Sequence, residues 1–348
     1  MRSVLNSSLS LRERTSRSRV GFTLIELMVV IVIIAILIGL LVPAVMSVRR
    51  TARDAEVRKD ISDLEQAIAQ FKVSFGIEPP SYIELFANQS DWDLPANARY
   101  KGLIKQLWSQ FDFSDCGGSS VGASGSKTVV LPNASTATVL KLNGAECLVF
   151  FLGGMLDPTS GGFTGFAKDP ANPFTSAAVI TNREGPFFEF RGALQTQTGS
   201  PGDDRWAGRL TDKDRDWLPE YRDPLQQQQF PYAYFNGVSG AYRTTQWTMG
   251  GAAWQNTDCQ ENTTAAQIAL GVQTTFTVMN YAYYTRNFNP NANPRASLPH
   301  KAKGIQIISP GADGIYGTGG AFDPENRGNL SLPDRDNITN FHTGRLGG

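Results

Sequence analysis

Between Val20 and Val45 the chain reads V-G-F-T-L-I-E-L-M-V-V-I-V-I-I-A-I-L-I-G-L-L-V-P-A-V, and no other stretch restricts the fold so tightly. Phe22 to Val42 is 21 residues, and a bilayer-spanning helix needs about 20. The run carries one carboxylate, Glu26. An ionisable group at the centre of such a helix costs about 2.5–3.5 kcal/mol on insertion, so its presence marks function and calls for a partner. A secretory signal has an apolar core of about 7–15 residues with a small-residue cleavage site behind it; this run is longer and has no such site. A plain anchor explains the length but not the spacing Gly21-Phe22-x-x-x-Glu26. Residues 1–21 hold five arginines (Arg2, Arg12, Arg14, Arg17, Arg19) and one acid, Glu13. By the positive-inside rule they keep the N-terminus in the cytoplasm and send the bulk of the chain across.

These residues resemble the type IV prepilin signature: a short basic leader, a Gly, a Phe that becomes the N-terminus after cleavage, and a Glu five positions into the mature chain. Gly21, Phe22 and Glu26 match it, and Pro43 stands where many family members carry a helix-kinking proline. The likeness covers about the first 55 residues. It implies that a membrane-bound prepilin peptidase cuts between Gly21 and Phe22 and methylates the new amine. It also implies polymerisation with other pilin or pseudopilin subunits on an inner-membrane assembly platform, with Glu26 meeting the amine of a neighbouring subunit. Opposite charges gain more from pairing in hydrocarbon than in water, so that pair would set the axial register. The implied location is the inner membrane, single-pass, with a cytoplasmic N-terminus and a periplasmic head, and the filament after assembly. Gly39 and Pro43 would weaken the helix, since Pro removes a backbone bond and crowds the preceding turn; a bend or local melting is expected there.

Beyond Pro43 the pattern becomes amphipathic. Val57, Ile61, Leu64, Ile68, Phe71 and Phe75 recur at three- and four-residue spacing, one stripe down a helix. Arg53, Asp54, Glu56, Arg58, Lys59, Asp60, Asp63 and Glu65 are read as its solvent faces. Gly76 is a natural C-cap and Pro79-Pro80 forbid continuation. The result is one helix of roughly 50 residues, about 75–80 Å long. Without the leader's charges, the 32 basic and 32 acidic residues become 27 and 31, a net charge near −4. No basic stripe points to nucleic acid. With 34 Gly and 19 Pro, the remainder reads as a loop-rich, β-containing head. The organisation expected is therefore a leader at 1–21, a helix at 22–76 that spans the membrane to about residue 42, and a head at 77–348. The fold class is α+β and pilin-like, the long helix packing on a small antiparallel sheet.

Within the head, Leu64–Leu85 is also similar to the pseudopilin pattern, in which a Gly-x-x-Pro turn ends the long helix and a short helix follows. This places a helix near Ser81–Ala87; another is expected at Arg99–Gln110. Residues 114–138 read as a loop. Strands are expected at Cys147–Leu152, Ala178–Thr181, Phe187–Phe190, Tyr232–Phe235, Thr275–Tyr284 and Lys303–Ser309. Residues 191–230, with Trp206 and Trp217, read as a surface insertion. Three cysteines, Cys116, Cys147 and Cys259, allow three pairings; Cys116–Cys147 closes the shortest loop. No C-x-x-C occurs and there are only two His, which argues against zinc.

The late stretch I-I-S-P-G-A-D-G-I-Y-G-T-G-G, followed by D-R-D-N-I-T-N-F, places Asp313, Asp334, Asp336 and Asn337 on a Gly-rich turn after a strand. Calcium takes about six to eight oxygen ligands from carboxylates, amides and backbone carbonyls. The stretch resembles the calcium loop of the major pseudopilin of type II secretion. Asp313 matches that family's first acid and Asp334 the first acid of its second cluster. Asn337 stands where a second Asp is usual, with Asp336 beside it, and the insertion Gly320–Ser331 lengthens the spacing. The other reading is a Gly/Asp-rich turn without metal.

Remaining motifs carry less. Asp212-x-Asp214-x-Asp216 with Asp223 imitates an EF-hand loop, but Trp217 occupies the position that needs Gly. Gly118-Ser119-Ser120-Val121-Gly122 matches G-x-S-x-G outside any strand–helix context, and only His300 and His342 are available as base, so an enzyme is not expected. Trp206, Trp217, Trp247 and Trp254 suit either a sugar-binding surface or core anchoring. The reading that results is a structural, pseudopilin-type subunit of a type II secretion machine with an enlarged head. The alternatives are a surface pilus subunit for adhesion, motility or DNA uptake, and an exported binding protein that uses the helix only as an anchor.

Overall fold

The computed structural model describes residues 23–114, 139–157, 160–175, 181–194, 206–212, 218–225, 228, 230–237, 283–284, 300–301, 304–317, 319–325 and 330–348. Its contacts divide the chain into two units, Met1–Ala52 and Arg53–Gly348. The fold is α+β: a long apolar N-terminal helix, α1 (Leu24–Phe75), and small, mostly antiparallel sheets further along.

In the first unit α1 is apolar on every side from Leu27 to Met46, and every described residue is exposed. Its large side chains from Leu24 to Val48 are exposed, Leu24 at 76% and Leu40 at 73%. Such a helix is stable only in an apolar surrounding or against like helices, and it is long and apolar enough to cross a membrane. It runs without a break through Gly39 and Pro43. Proline removes one backbone bond, and regular turns on both sides carry the helix past it.

In the second unit the stripe on α1 forms the core as its spacing requires. Val57, Ile61, Leu64, Ile68 and Phe71 are buried and Phe75 half-buried. Gly76, at φ +79°, closes the helix with its N–H on Lys72 O at 2.8 Å. Two acids read as solvent-facing are instead buried. Asp54 is paired with Arg345, and Asp60 with Arg209 and the Tyr232 hydroxyl. Their positions continue the stripe, Asp54 three residues before Val57 and Asp60 four before Leu64, so spacing and not charge decided their side.

The segment expected as a helix at Ser81–Ala87 is the strand β1 (Ile83–Phe86). It pairs antiparallel with β2 (Val139–Leu142), Leu85 opposite Leu140. Pro79-Pro80 lead the chain out extended, and three of its four side chains enter the core. Helix α2 (Gln89–Trp92) follows, with Trp92 Nε1–H on Phe86 O at 2.9 Å. Helix α3 (Ala98–Leu107) lies where one was expected and buries Tyr100, Ile104 and Leu107 at i, i+4, i+7.

The run Cys147–Leu152, expected as a strand, belongs to helix α4 (Gly144–Gly153), all ten residues of which are buried. A short apolar run is ambiguous between buried strand and buried helix. Here Asn143 decides: its Oδ1 accepts the Glu146 N–H at 3.0 Å while Glu146 Oε2 accepts the Asn143 N–H at 2.8 Å. That reciprocal capping box fixes the first turn.

Phe187–Phe190 forms no strand. Pairing falls earlier, between β3 (Phe166–Ala167) and β4 (Arg183–Glu184), and the phenylalanines fill the core instead, Phe187 meeting Phe71 at 5.4 Å between centroids. Nor do the described residues of 191–230 form a surface insertion. Their β5 (Leu210–Thr211) and β6 (Glu220–Tyr221) pair, and Trp206, Leu210, Leu218 and Tyr221 are buried. Trp206 stacks on Phe163 at 6.3 Å, which makes it a core anchor.

The main sheet is β7 (Ala233–Asn236), β9 (Ile305–Ser309) and β11 (Ile338–Thr339) in the order β11-β9-β7, antiparallel, with Tyr234 opposite Ile307 and Ile338 opposite Ser309. These agree with the strands expected at Tyr232–Phe235 and Lys303–Ser309. Of the expected strand Thr275–Tyr284 only β8 (Tyr283–Tyr284), parallel to β10 (Gly320–Ala321), is described. Residues 178–180, the 115–138 segment with its G-x-S-x-G, Trp217, Trp247, Trp254, Cys116 and Cys259 lie outside the described residues. Cys147 is buried, its thiol 3.6 Å from Leu142 O.

Candidate functional site

Two places carry the residues singled out by the sequence. The first is the start of α1. Gly21 and Phe22 lie outside the described residues. Glu26 Oε2 accepts from both the N–H and the hydroxyl of Thr23, each at 2.8 Å, and Thr23 Oγ1 accepts the Glu26 N–H at 3.3 Å. This is a capping box on T-x-x-E. An anionic side chain in the first helical turn also opposes the unpaired N–H groups there. The sequence reading named Glu26 and missed Thr23, though the T-x-x-E spacing was its signal.

The second is the turn that follows β9. Gly311 has φ +70°, and a Cβ there would lie 2.4 Å from Asp336 O, so only glycine fits. Asp336 Oδ2 accepts the N–H groups of Ala312 (2.6 Å) and Asp313 (2.9 Å). Its Oδ1 is buried with no hydrogen-bond partner among the described residues. Asp313 Oδ1 accepts the Ile315 N–H at 2.8 Å. Burial, and then the charge of Asp336, hold the Asp313 carboxyl above the usual range, against that hydrogen bond. Asp334 accepts from Gly319 N–H (3.0 Å) and the Ser331 hydroxyl, and Asn337 Nδ2 donates to Tyr316 O (2.8 Å).

A support unrecognised in the sequence lies behind this turn. Asp223 is 2% exposed. Its Oδ2 accepts from Ser309 Oγ (2.5 Å) and Gln228 Nε2 (2.9 Å), and Gln228 also donates to Gly311 O at 3.2 Å. Burial raises the Asp223 carboxyl, against these hydrogen bonds. Asp214 and Asp216, its companions in the EF-hand-like spacing, lie outside the described residues.

The oxygen-only donor set at Asp313 and Asp336, with one buried carboxylate oxygen lacking a partner, fits a hard cation. Asp334 accepts hydrogen bonds within the turn, and Asn337 donates one there from Nδ2. No three His, Cys, Asp or Glu side chains converge among the described residues.

Comparison with known proteins agrees with the N-terminal geometry. The family described as "Prokaryotic N-terminal methylation motif" matches residues 17–42. The chain is similar to type II secretion system core protein G from Klebsiella michiganensis, 38% identical over 94 residues, which is 26% of this chain and 66% of the relative. The protein of that name from Vibrio cholerae serotype O1 is 33% identical over 93 residues, 26% of this chain and 64% of the relative. That from Escherichia coli K12 is 36% identical over 97 residues, 27% and 67%. The chain thus spans about two thirds of the length of these curated relatives. No solved structure matches it.

Proposed function

Because the chain belongs to the type II secretion system core protein G family, we propose that it is a non-enzymatic subunit of a secretion pseudopilus, polymerising through α1. The observation that carries this reading is the reciprocal Thr23–Glu26 cap at the head of an exposed, all-round apolar helix, inside the matched motif. Prepilin peptidase would cut between Gly21 and Phe22, leaving a methylated amine one turn from Glu26. Thr23 supplies two donors to the carboxylate, which aims it at the start of the helix. In a filament Glu26 would then meet the amine of the next subunit, and Gly39 and Pro43 would yield as helices pack. Partners are other pseudopilins and the inner-membrane assembly platform, with the head in the periplasm. The relatives are named for secretion, which favours the pseudopilus over a surface pilus. The match covers about a quarter of this chain, so the enlarged head belongs to a specialised subunit.

Calcium at the acidic turn is part of the same proposal. Asp313 and Asp336 would hold it, with Asp334 and Asn337 shaping the turn, and bound there it would neutralise two carboxylates that face each other. The deciding experiment for the role as a whole is deletion of the gene, with exoproteins assayed in medium and periplasm and surface filaments imaged. Exoproteins retained while filaments persist support the secretion role. Normal secretion with loss of filaments overturns it in favour of a pilus subunit.

A further inference from the structure

Residues Arg345–Gly347 touch two places at once. On one side they close on the acidic turn: Arg345 bridges Ile338 antiparallel, Leu346 N–H donates to Asn337 O at 3.1 Å, and Gly347 N–H to Arg335 O at 2.8 Å. The fit is tight. A Cβ on Gly347 would lie 2.3 Å from Arg335 Cβ, and Leu346 is fully buried with Phe235, Ile308, Tyr316 and Phe322. The segment so gripped is the one whose Asp336 caps the amides of Ala312 and Asp313. On the other side the Arg345 guanidinium forks onto Asp54 of α1, Nε to Oδ2 at 2.8 Å and Nη2 to Oδ1 at 2.6 Å.

Hydrogen bonds and the short covalent stretches between them therefore join the turn to α1: Ala312 and Asp313 amides, Asp336, the 335–337 backbone, the 345–347 backbone, Arg345, Asp54. Arg345 is held charged by Asp54 first and more weakly by Asp336 and Asp313, which places the acids of the turn within its electrostatic reach. Neutralised by Asp54, it acts on the turn chiefly by position. Two sites joined this way are linked reciprocally: whatever orders one lowers the cost of ordering the other.

We propose that Arg345–Gly347 act as a strap coupling order in the acidic turn to the hold on α1 at Asp54, so that a divalent cation held by Asp313 and Asp336 tightens that hold. The cation half rests on the calcium reading above; the strap itself does not.

The test is amide hydrogen exchange on the full chain in detergent micelles, with calcium chloride or with chelator. In the wild type, calcium is expected to slow exchange at 312–317 and also at 54–61, by about tenfold, within the range of allosteric couplings. Arg345→Gln is expected to keep the first response and lose the second. Arg345→Lys keeps the charge but not the fork, and serves where the Gln variant unfolds. A wild-type response confined to 312–317, or an unchanged 54–61 response in Arg345→Lys, overturns the strap. Calcium that alters neither segment overturns the calcium reading alone, and Asp336→Asn then decides. Faster exchange at 54–61 in Asp336→Asn, with no further gain in the Arg345→Lys background, upholds the strap; wild-type exchange there overturns it.

Discussion

Replacing Asp60 by Ala tests whether the head is held to α1 by the buried ion pairs or by the apolar stripe alone. The side chains of Arg209 and Asp60 are 15% and 11% exposed, so the pair is largely shielded from water. Asp60 accepts two bonds from the guanidinium and one from Tyr232 Oη at 2.8 Å. Arg209 keeps its Nε bond to Arg222 O and its place over the Tyr221 ring at 4.3 Å. Neither supplies a counter-charge. Breaking one partner of a buried pair costs about 3–5 kcal/mol, because the other charge is left uncompensated. At roughly 2 °C per kcal/mol for a unit of this size, the midpoint should fall by about 6–10 °C. The assay is urea and thermal unfolding in detergent, followed by the fluorescence of buried Trp92, Trp108 and Trp206. Tyr232→Phe should cost less, about 1.5–3 kcal/mol for a bond to a charged group. The double variant Asp60→Leu/Arg209→Met removes both charges and should recover more than half of the loss. A cost under about 1 kcal/mol for Asp60→Ala, or a double variant no better than the single, refutes the reasoning.

Three further outcomes are expected. Glu26→Ala should leave leader cleavage intact and abolish incorporation into filaments; Thr23→Val should reduce incorporation partially, at the roughly 1 kcal/mol of a lost cap, with Thr23→Ser restoring it, as read by shearing and immunoblot. Asp223 titrates higher folded than unfolded, so it contributes a penalty that is full above its folded pKa and vanishes below the ordinary Asp value near 3.8; wild-type midpoints should therefore rise relative to Asp223→Asn as pH falls through that window, and a flat difference counts against it. Calcium at about 100 times its dissociation constant should stabilise the full chain by about 2.7 kcal/mol, an increment removed by Asp336→Asn and seen as a shifted melting curve.

Helix α1, its C-cap at Gly76, α3 and the strands β7 and β9 were legible because each depends on local periodicity or on a residue with one conformational use. What escaped depended on partners far along the chain. Asp54 and Asp60 sit in register with the buried stripe, yet a lone carboxylate gives no hint of an arginine elsewhere. The segment at 83–86 is a strand only because Val139–Leu142 lies beside it. The error at α4 was avoidable, since Asn143-x-x-Glu146 is a helix start and the apolar run after it has no period of its own. At the acidic turn the glycines and acids were readable. The role of Asp223 behind it was not, because its partner Ser309 is contributed by a distant strand and its partner Gln228 reaches the turn at Gly311 O.

The pairing of Asp54 with Arg345 spans 291 residues of sequence. A ribosome adds about 5–20 residues per second, so the carboxylate waits roughly 15–60 s for its partner to exist. Throughout that interval the acid side of the helix is open to any cation that reaches it, including an arginine of another chain at the same stage. Closure of the head is therefore a late event, and the interval before it is when a chaperone has most to protect.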